Sequence, residues 1–208
     1  MILQNDKTWD CVKYFYDPYS PGGAQTIIQY SDKPDEIETD GVSFVGHFYD
    51  PTTGLNYLGD STPTALERLQ IHALNAYNYY WINRTYALQE LGMAIHYLTD
   101  LCEPHHASNK TALNSNHTTF ETYADNNRVL YSVSFGGDYS NITYTSYFSY
   151  VTDKGISAAY NAYAYKDYAL SVFQSNWDYA LQNTLPYAQR VVAGFLYKFL
   201  KEVGENVP

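Results

Sequence analysis

The chain of 208 residues is long enough for one domain with a hydrophobic core of its own. Its formal net charge of −10 argues against a broad basic surface for nucleic acid or for an anionic membrane. The sequence has no apolar run of about 18 residues, and its opening MILQNDKTWD lacks the apolar core of a signal peptide.

Residues 1–62 are rich in Gly, Pro, Asp and Thr, which predicts a mostly irregular segment with a short helix near its start. A long helix then begins, with Thr62 as the predicted N-cap and Pro63 in the first helical position. The side chains that share one face of this helix are Ala65, Leu69, His72, Ala73 and Ala76. We therefore expect this face to pack into the core.

A second long helix is predicted at residues 85–101, and Pro104 should stop it. Its apolar side chains repeat every three or four residues, at Leu88, Leu91, Ile95 and Leu98. Further helices are predicted at residues 117–132, 154–174 and 175–203. Pro186 should kink or break the last of them. The expected fold is an all-α, multi-helix bundle with a long irregular N-terminal segment, in a single domain over residues 1–208.

The second long helix ends in a segment, HYLTDLCEPHHASN, that is rich in metal-ligand side chains. His96 and Asp100 are four residues apart, so their Cβ atoms lie on one helix face, roughly 6 Å apart. His117 and Glu121 repeat this spacing on the next predicted helix, and His106 lies between the pairs. Imidazole and carboxylate ligands suit zinc, and two such pairs facing each other would frame a multinuclear site between helices. By spacing alone, surface hydrogen bonding between each His and its acid is an equal alternative.

The same segment resembles the signature of the bacterial zinc-dependent phospholipase C family, which includes the catalytic domain of alpha-toxin-type enzymes. Only Cys102 departs from that signature, at a position where the family prefers a small polar residue. HTTFETYA, PDEIETDGVSFVGHFYDPTTG and WDYALQNTLPYAQRVVAGFLYKFLKEV are similar to further parts of the family's catalytic domain. The likeness spans about residues 30–203, and ligand types, order and spacing agree at four separate places.

The resemblance implies two zinc sites. One zinc would be held by His106, His117 and Glu121, and the other by Asp35, His47, His96 and Asp100. The family's third zinc uses the free amine and carbonyl of an N-terminal Trp, a nearby His and the residue that matches Asp100. This chain does not begin with Trp and has no His before His47. Trp9 cannot replace the N-terminal Trp, because the family uses the free terminal amine. The third site is therefore in doubt, because either an upstream segment is missing or this member has lost one metal.

The resemblance also implies hydrolysis of the glycerol-side phosphodiester bond of a phosphatidylcholine-like lipid, which yields diacylglycerol and a phosphorylated headgroup. Zinc would lower the pKa of a bound water and neutralise charge on the phosphoryl oxygens. Asp35 would bind metal and could accept the proton of the attacking water, with a purely ligating role as the alternative. Asp50 is expected to orient His47 through a hydrogen bond.

Phe44 and Glu36 are the candidate headgroup-binding residues. A choline cation over an aromatic ring gains roughly 0.5–2 kcal/mol, although simple packing is an equal role for Phe44. The partner would be a phospholipid at a membrane or micelle surface, contacted through loops such as YSNITYTSYFSYV. No nucleic acid and no stable protein partner are expected. The chain shows no C-terminal lipid-binding β-sandwich and so resembles the family's single-domain, secreted members.

Three further residues are expected to stand outside the chemistry. His72 and His105 are predicted to support ligands from behind or to lie on the surface. Cys102 is predicted to be a small buried side chain near the site, although a disulfide with Cys11 or a stray zinc contact is also open.

Two other functions remain open. The single-strand zinc nucleases of fungi and plants share the fold and a similar His/Asp frame, but LCEPHH is closer to the phospholipase pattern. The chain could also be a zinc-binding remnant without activity. Assays on phosphatidylcholine and on single-stranded DNA, together with metal analysis, would separate the three.

Overall fold

The computed structural model describes residues 1–7, 12–15, 24–143 and 146–207. These residues form no β-strand, and their only sheet-like pairing is an isolated bridge between Asp50 and Leu55. The α-helices are α1 (Ile2–Lys7), α2 (Gln25–Tyr30), α3 (Pro34–Ile37), α4 (Ala65–Tyr79), α5 (Arg84–Asp100), α6 (His117–Asn127), α7 (Tyr147–Tyr163), α8 (Lys166–Ala169) and α9 (Gln174–Glu202). Short 3-10 helices lie at Val12–Phe15, Val45–His47, His106–Ser108 and Arg128–Tyr131. The predicted all-α bundle is confirmed.

Helix α5 runs through the centre of the bundle and packs against α4, α2 and α9. Leu88, Leu91 and Leu98 are fully buried, as the three-and-four repeat predicts. Burial of each Leu stabilises the fold by roughly 1.5–3 kcal/mol. The predicted inner face of α4 is also buried, including Leu69 and His72. The metal-ligand pair at the end of α5 therefore stands on the most deeply packed helix.

The predicted start of α4 is wrong by two residues. Thr64, in an extended conformation, is the N-cap, and its hydroxyl oxygen accepts a hydrogen bond from the Glu67 backbone N–H at 3.2 Å. Thr62 instead donates its hydroxyl to the Glu67 side chain at 2.6 Å. Both threonines thus bond to the first turn of α4. Thr64 is the N-cap because it is adjacent to that turn and can reach the free backbone N–H groups there.

The predictions for the other helices need corrections of length. The segment predicted to be mostly irregular contains α1, α2 and α3, although residues 38–64 hold only one short 3-10 helix. The helix predicted at 154–174 begins at Tyr147 and ends at Tyr163, and the one predicted at 117–132 turns 3-10 after Asn127.

Of the kink or break predicted at Pro186, the break does not occur, because α9 continues through it as a single helix of 29 residues. A proline inside a helix costs roughly 3 kcal/mol. Buried side chains on both sides of it, such as Leu181 and Val191, offset that cost by packing both halves against the bundle. None of the described helices combines the length and the hydropathy needed to cross a membrane.

Candidate metal centre

Asp35, His47, His96 and Asp100, named here the first group, converge although they come from three separate segments. His47 Nδ1 and His96 Nε2 lie 3.1 Å apart. Asp35 Oδ1 is 3.7 Å from each of these nitrogens, and Asp100 Oδ2 is 3.0 and 3.3 Å from them. Four ligands placed about 2.0–2.1 Å from a tetrahedral zinc would be roughly 3.3 Å apart. The distances of His47 and His96 from each other and from each carboxylate are therefore suited to one zinc ion.

In three of the histidines, the ring nitrogen on the side away from the proposed metal donates a hydrogen bond to a backbone carbonyl. His47 Nε2 donates to the Glu38 carbonyl at 3.3 Å, and His96 Nδ1 donates to the Ser31 carbonyl at 2.8 Å. His106 Nδ1 donates to the carbonyl of His47 at 2.7 Å. Such contacts fix the tautomer and leave the opposite nitrogen with a free lone pair, which is the usual outer shell of a metal-bound histidine.

His106, His117 and Glu121, named here the second group, meet beside the first. Glu121 Oε1 lies 3.0 Å from His117 Nε2 and 3.5 Å from His106 Nε2. His117 is buried, yet its Nε2 is without a hydrogen-bond partner in the described part of the chain, so the close Glu121 oxygen is not aligned to accept. A buried nitrogen without a partner costs free energy, and a metal ion between the two atoms would satisfy both. The residues present thus fit a zinc ion here as well.

Glu103 also lies within reach of the second group, with Oε2 4.0 Å from His117 Nε2. Its oxygens are already used, since Oε1 is 2.8 Å from His105 Nδ1 and Oε2 accepts from the His106 backbone N–H at 2.7 Å. Glu121 therefore stays the candidate ligand, and Glu103, although close enough to be one, is bonded to His105 and to the His106 backbone. Glu103 was not among the predicted site residues, although Glu103 follows Asp100 by only three residues and so had to lie near the site.

His105 is completely buried and joins Glu103 to Asn116, whose Oδ1 lies 3.0 Å from His105 Nε2. Its ring stacks on the ring of His117 at 4.9 Å between centroids. Both of its nitrogens are occupied, which leaves it no free ligand atom. Of the two predicted positions for His105, support from behind a ligand is the one observed.

Asp100 stands between the two groups. Its Oδ2 belongs to the first group, while its Oδ1 is 3.9 Å from His106 Nδ1. Burial alone would raise the pKa of Asp100, but His96 and His106 hold it well below its usual value. Burial lowers the pKa of His96 and His106, but the Asp100 charge outweighs it and raises them to about 9 and about 10. The centre thus favours bound positive charge, as expected of a cation site.

The loop at residues 38–47, which carries His47, is anchored by Arg68 of α4. The guanidinium donates to the Glu38 carboxylate at 3.0 Å and to its backbone carbonyl at 3.2 Å, and it pairs with Asp40. Asp40 in turn accepts the Gly46 backbone N–H at 2.8 Å. A Cβ on Gly46 would collide with the Arg68 guanidinium, which would have to shift away from Glu38 and Asp40.

A glycine also lets α2 approach the first group. A Cβ on Gly92 of α5 would meet the Ile27 carbonyl oxygen at 2.6 Å. Ser31 is the residue directly after α2. The close packing of α2 on α5 places its carbonyl where it accepts the hydrogen bond from the His96 ring N–H. The bare helix surface at Gly92 therefore helps to orient a candidate ligand one turn later.

His72 lies behind the loop in a buried network. Its ring stacks on Tyr97, and its nitrogens are 2.9 Å from Glu90 and 3.2 Å from Glu38. Burial would raise the pKa of Glu38, but the hydrogen bonds from His72 and Tyr97 lower it to about 2. A charged Glu38 keeps its bond to Arg68, so this network stabilises the carbonyl that holds His47. Of the two positions predicted for His72, support of a candidate ligand from behind is the one observed.

The predicted role of Asp50 is wrong. Its Oδ1 accepts from the backbone N–H and the hydroxyl of Thr52, at 2.8 and 2.6 Å. The far nitrogen of His47 uses the Glu38 carbonyl instead. The carboxylate of Asp50 is engaged by the turn that follows it and therefore does not bond to His47.

Both groups open into one cleft of about 720 Å³. Asp35, Phe44, His106 and Glu121 are among its lining residues. Phe44 has a left-handed backbone (φ 55°), and its ring meets the His47 ring edge-on at 5.7 Å. Glu36, the other predicted headgroup contact, is exposed and pairs with Lys33 at 2.5 Å.

Cys102 is buried behind the site, and burial raises the pKa of its thiol. It therefore has the predicted place of a small buried side chain. The predicted alternatives that involve Cys11, and the position of Trp9, fall outside the described residues.

The fold and the paired His/carboxylate groups define an all-α protein with a candidate dinuclear metal centre. A family profile described as zinc dependent phospholipase C matches residues 24–178. The chain belongs to the zinc-dependent phospholipase C family.

Individual relatives agree with this assignment. The chain is 33% identical to phospholipase C of Clostridium perfringens over 182 residues, which are 77% of this chain and 45% of that protein. It is 29% identical to phospholipase C of Paraclostridium bifermentans over 181 residues, again 77% and 45%. It spans about half the length of these curated relatives.

A solved structure, the alpha toxin from Clostridium absonum, shares the fold with a TM-score of 0.79 at 25% identity. The similarity covers 94% of this chain and 61% of that one.

Proposed function

We propose that the chain hydrolyses the glycerol-side phosphodiester bond of phosphatidylcholine-like lipids, giving diacylglycerol and a phosphorylated headgroup. The observation that carries the proposal is the convergence of two His/carboxylate groups at the floor of one open cleft, in a member of this family. We further propose that residues 1–208 form one catalytic domain that works outside the cell, as the family resemblance implies.

In this proposal each group holds one zinc ion. Asp35, His47, His96 and Asp100 would bind the first, and His106, His117 and Glu121 the second. The short distances from His47 and His96 to both carboxylates of the first group and the partnerless His117 Nε2 of the second support the assignment. When bound, zinc lowers the pKa of a coordinated water towards about 7 and neutralises negative charge on phosphoryl oxygens.

Asp35 is the proposed proton acceptor. Its side chain is 64% exposed and lines the cleft, whereas the side chain of Asp100 is only 12% exposed and is closed in by His47 and His96. A water oxygen attacks phosphorus while its proton passes to the Asp35 carboxylate. The bond from phosphorus to the glycerol oxygen breaks, and that oxygen takes up a proton from solvent and leaves as the hydroxyl of diacylglycerol. Asp35 is thus the more accessible carboxylate of the first group, although Asp100 also lines the cleft.

Phe44 is the proposed contact for the choline cation. Its ring lies next to His47 at the wall of the cleft, close to where the phosphate would bind. A cation over its face would gain roughly 0.5–2 kcal/mol. Glu36, one residue from Asp35, is proposed to add a weaker attraction at the edge, since it is exposed and shares its charge with Lys33.

The test is release of phosphocholine from mixed micelles of phosphatidylcholine by the zinc-loaded protein, with single-stranded DNA as the rival substrate. We expect turnover of the lipid, and loss of turnover in Asp35→Asn even when zinc is added until the variant holds as much zinc as the unaltered protein. Asp32→Asn, which changes a neighbouring acid outside the two groups, is the matched control and should remain active. Activity on DNA alone would assign the nuclease function instead, and bound zinc without turnover of either substrate would indicate a remnant.

A further inference from the structure

Two apolar side chains stand almost fully in solvent at the cleft that contains the metal-ligand groups. Val42 is 83% exposed and Leu113 is 98% exposed, and both line this cleft. They come from different segments, the loop that carries His47 and the turn that precedes α6. Single exposed apolar side chains are ordinary on protein surfaces, but two at the opening of one cleft indicate a contact surface.

Val42 is held outward by a strained and well-anchored loop. Its φ of 74° is unusual for a β-branched residue, for which left-handed backbone is costly. The next residue is fixed on both sides, because Tyr57 donates its hydroxyl to the Ser43 carbonyl at 2.7 Å and Ser43 Oγ donates to the Asp40 carbonyl at 2.8 Å. The loop therefore presents Val42 rigidly, at little further entropic cost on binding.

Leu113 is held outward by a hydrogen-bonded turn. The Thr111 N–H donates to Asn114 Oδ1 at 3.0 Å, and the Asn114 N–H donates to the Thr111 carbonyl at 3.1 Å. Ser115 Oγ also donates to that carbonyl, at 2.8 Å. Leu113 thus sits at the tip of a closed turn whose polar groups are satisfied without it.

The Tyr-rich stretch that the sequence indicated as a lipid contact is less suitable. Tyr147, Tyr150 and Val151 are buried in the core as part of α7. Residues 144–145 lie outside the described part of the chain. These three side chains are therefore committed to packing and the prediction is wrong for them, whereas Phe148 of the same stretch is 43% exposed.

Charge limits the kind of surface that would be contacted. The described side chains that line the cleft include acidic groups but neither Lys nor Arg. The chain as a whole carries a formal charge of −10. Attraction to an anionic surface is therefore disfavoured, and apolar contact with an electrically neutral lipid surface is favoured.

We infer that Val42 and Leu113, named here the apolar rim, insert into a neutral phospholipid surface and place the cleft over the headgroups. The inference rests on the proposed function, because it supplies the contact through which the cleft would reach a lipid in a bilayer. Loss of both side chains should weaken vesicle binding by at least about 10-fold, a conservative share of the free energy of burying a Val and a Leu.

The experiment compares Val42→Thr/Leu113→Gln with a matched control, Val172→Thr/Leu130→Gln. Val172 and Leu130 are 84% and 76% exposed and do not line the cleft. Sedimentation with phosphatidylcholine vesicles is measured in the Asp35→Asn background, so that the lipid is not consumed. Turnover of vesicles and of a short-chain, monomeric phosphatidylcholine is measured with Asp35 intact.

The rim variant should bind vesicles at least about 10-fold more weakly and lose a similar factor in kcat/KM on vesicles. Its kcat/KM on the monomeric lipid should stay within about twofold, and the control variant should match the unaltered protein. Unchanged vesicle binding, an equal loss in the control, or an equal loss on monomeric lipid would overturn the inference. Tighter binding to phosphatidylglycerol vesicles that is insensitive to the rim variant would overturn it as well.

Failure of the proposed function has a different signature. The unaltered protein would then turn over neither vesicles nor monomeric lipid, while sedimentation would still report whether the rim variant loses binding.

Discussion

The first and second groups contain the same kinds of side chain but are built differently. The first draws Asp35 and His47 from the N-terminal segment onto the end of α5, and its two imidazole nitrogens lie 3.0–3.7 Å from each carboxylate. The second lies within residues 106–121, and His117 Nε2 has no aligned partner in the described structure. A short motif can thus preorganise one proposed metal site, whereas the other needs contacts between segments far apart in sequence.

The supports behind the two groups differ in the same way. Behind the first stands a charged network in which Arg68 ties the loop at residues 38–47 to α4. Behind the second stands His105, which links Glu103 and Asn116 from within the same short stretch of chain. Substitutions that remove one ligand or one support at a time should therefore separate the two proposed sites.

The largest effect is expected from Asp100→Asn, because this carboxylate lies between the groups and contacts histidines of both. Phosphatidylcholine turnover should fall by more than about 100-fold, beyond the roughly 10–100-fold typical of outer-shell changes. Zinc content by mass spectrometry should fall as well. Asp125→Asn, at an exposed acid on α6, is the control and should change neither. Full zinc content and near-normal turnover in Asp100→Asn would remove Asp100 from the centre.

The next largest effects should distinguish the groups. His96→Ala should remove the zinc of the first group and His117→Ala that of the second, because each supplies an imidazole nitrogen that its neighbours cannot replace. Native mass spectrometry should show about one zinc in each variant if the protein holds two.

Thr184→Val, which changes a buried polar side chain of α9 that bonds only to its own helix, is the control and should keep the full zinc content. If either ligand variant loses all of its zinc, the two groups bind cooperatively and are not independent sites.

Intermediate effects are expected from the supports. Arg68→Lys should weaken zinc binding at the first group by roughly 10–100-fold, because a point charge cannot hold Glu38 and Asp40 as the guanidinium does. His105→Phe keeps a ring to stack on His117 but leaves Glu103 without its partner, so it should weaken the second group by a similar factor.

Competition titrations with a chromophoric chelator would measure both affinities. Arg128→Lys, at an exposed pair with Asp125, should leave both unchanged. In His96→Ala only the second group can still hold zinc. If adding Arg68→Lys to that variant weakened binding of the remaining zinc, the two supports would not be separate.

The smallest effect is expected from Phe44→Leu. Loss of the ring should raise KM for phosphatidylcholine by roughly 2–30-fold, the factor that corresponds to a cation–π contact of about 0.5–2 kcal/mol. Zinc content should be unchanged, and Phe44→Tyr should restore the affinity. Phe148→Leu, at a partly exposed ring on α7, is the control. An equal KM rise for a phospholipid with an uncharged headgroup would show that Phe44 acts by packing rather than by binding the cation.

The sequence alone was sufficient for the helical class, the inner faces of α4 and α5 and the two i,i+4 pairs. His96 with Asp100 and His117 with Glu121 could be predicted because the helical repeat places residues four apart on one face. His106 stood out because it lies between the two pairs, and the match to a family signature then added Asp35 and His47, whose distance in sequence no local rule connects.

The tertiary structure decided how those residues are held. The use of the Glu38 carbonyl rather than Asp50 by His47, the anchoring by Arg68 and the burial of His105 between Glu103 and Asn116 all arise from side chains that meet only after the helices pack. Local periodicity carries no information about such meetings, because they depend on how the elements pack and on which polar groups must be satisfied once buried. The same packing buried Tyr147 and Tyr150, and it left Val42 and Leu113 in solvent beside the cleft.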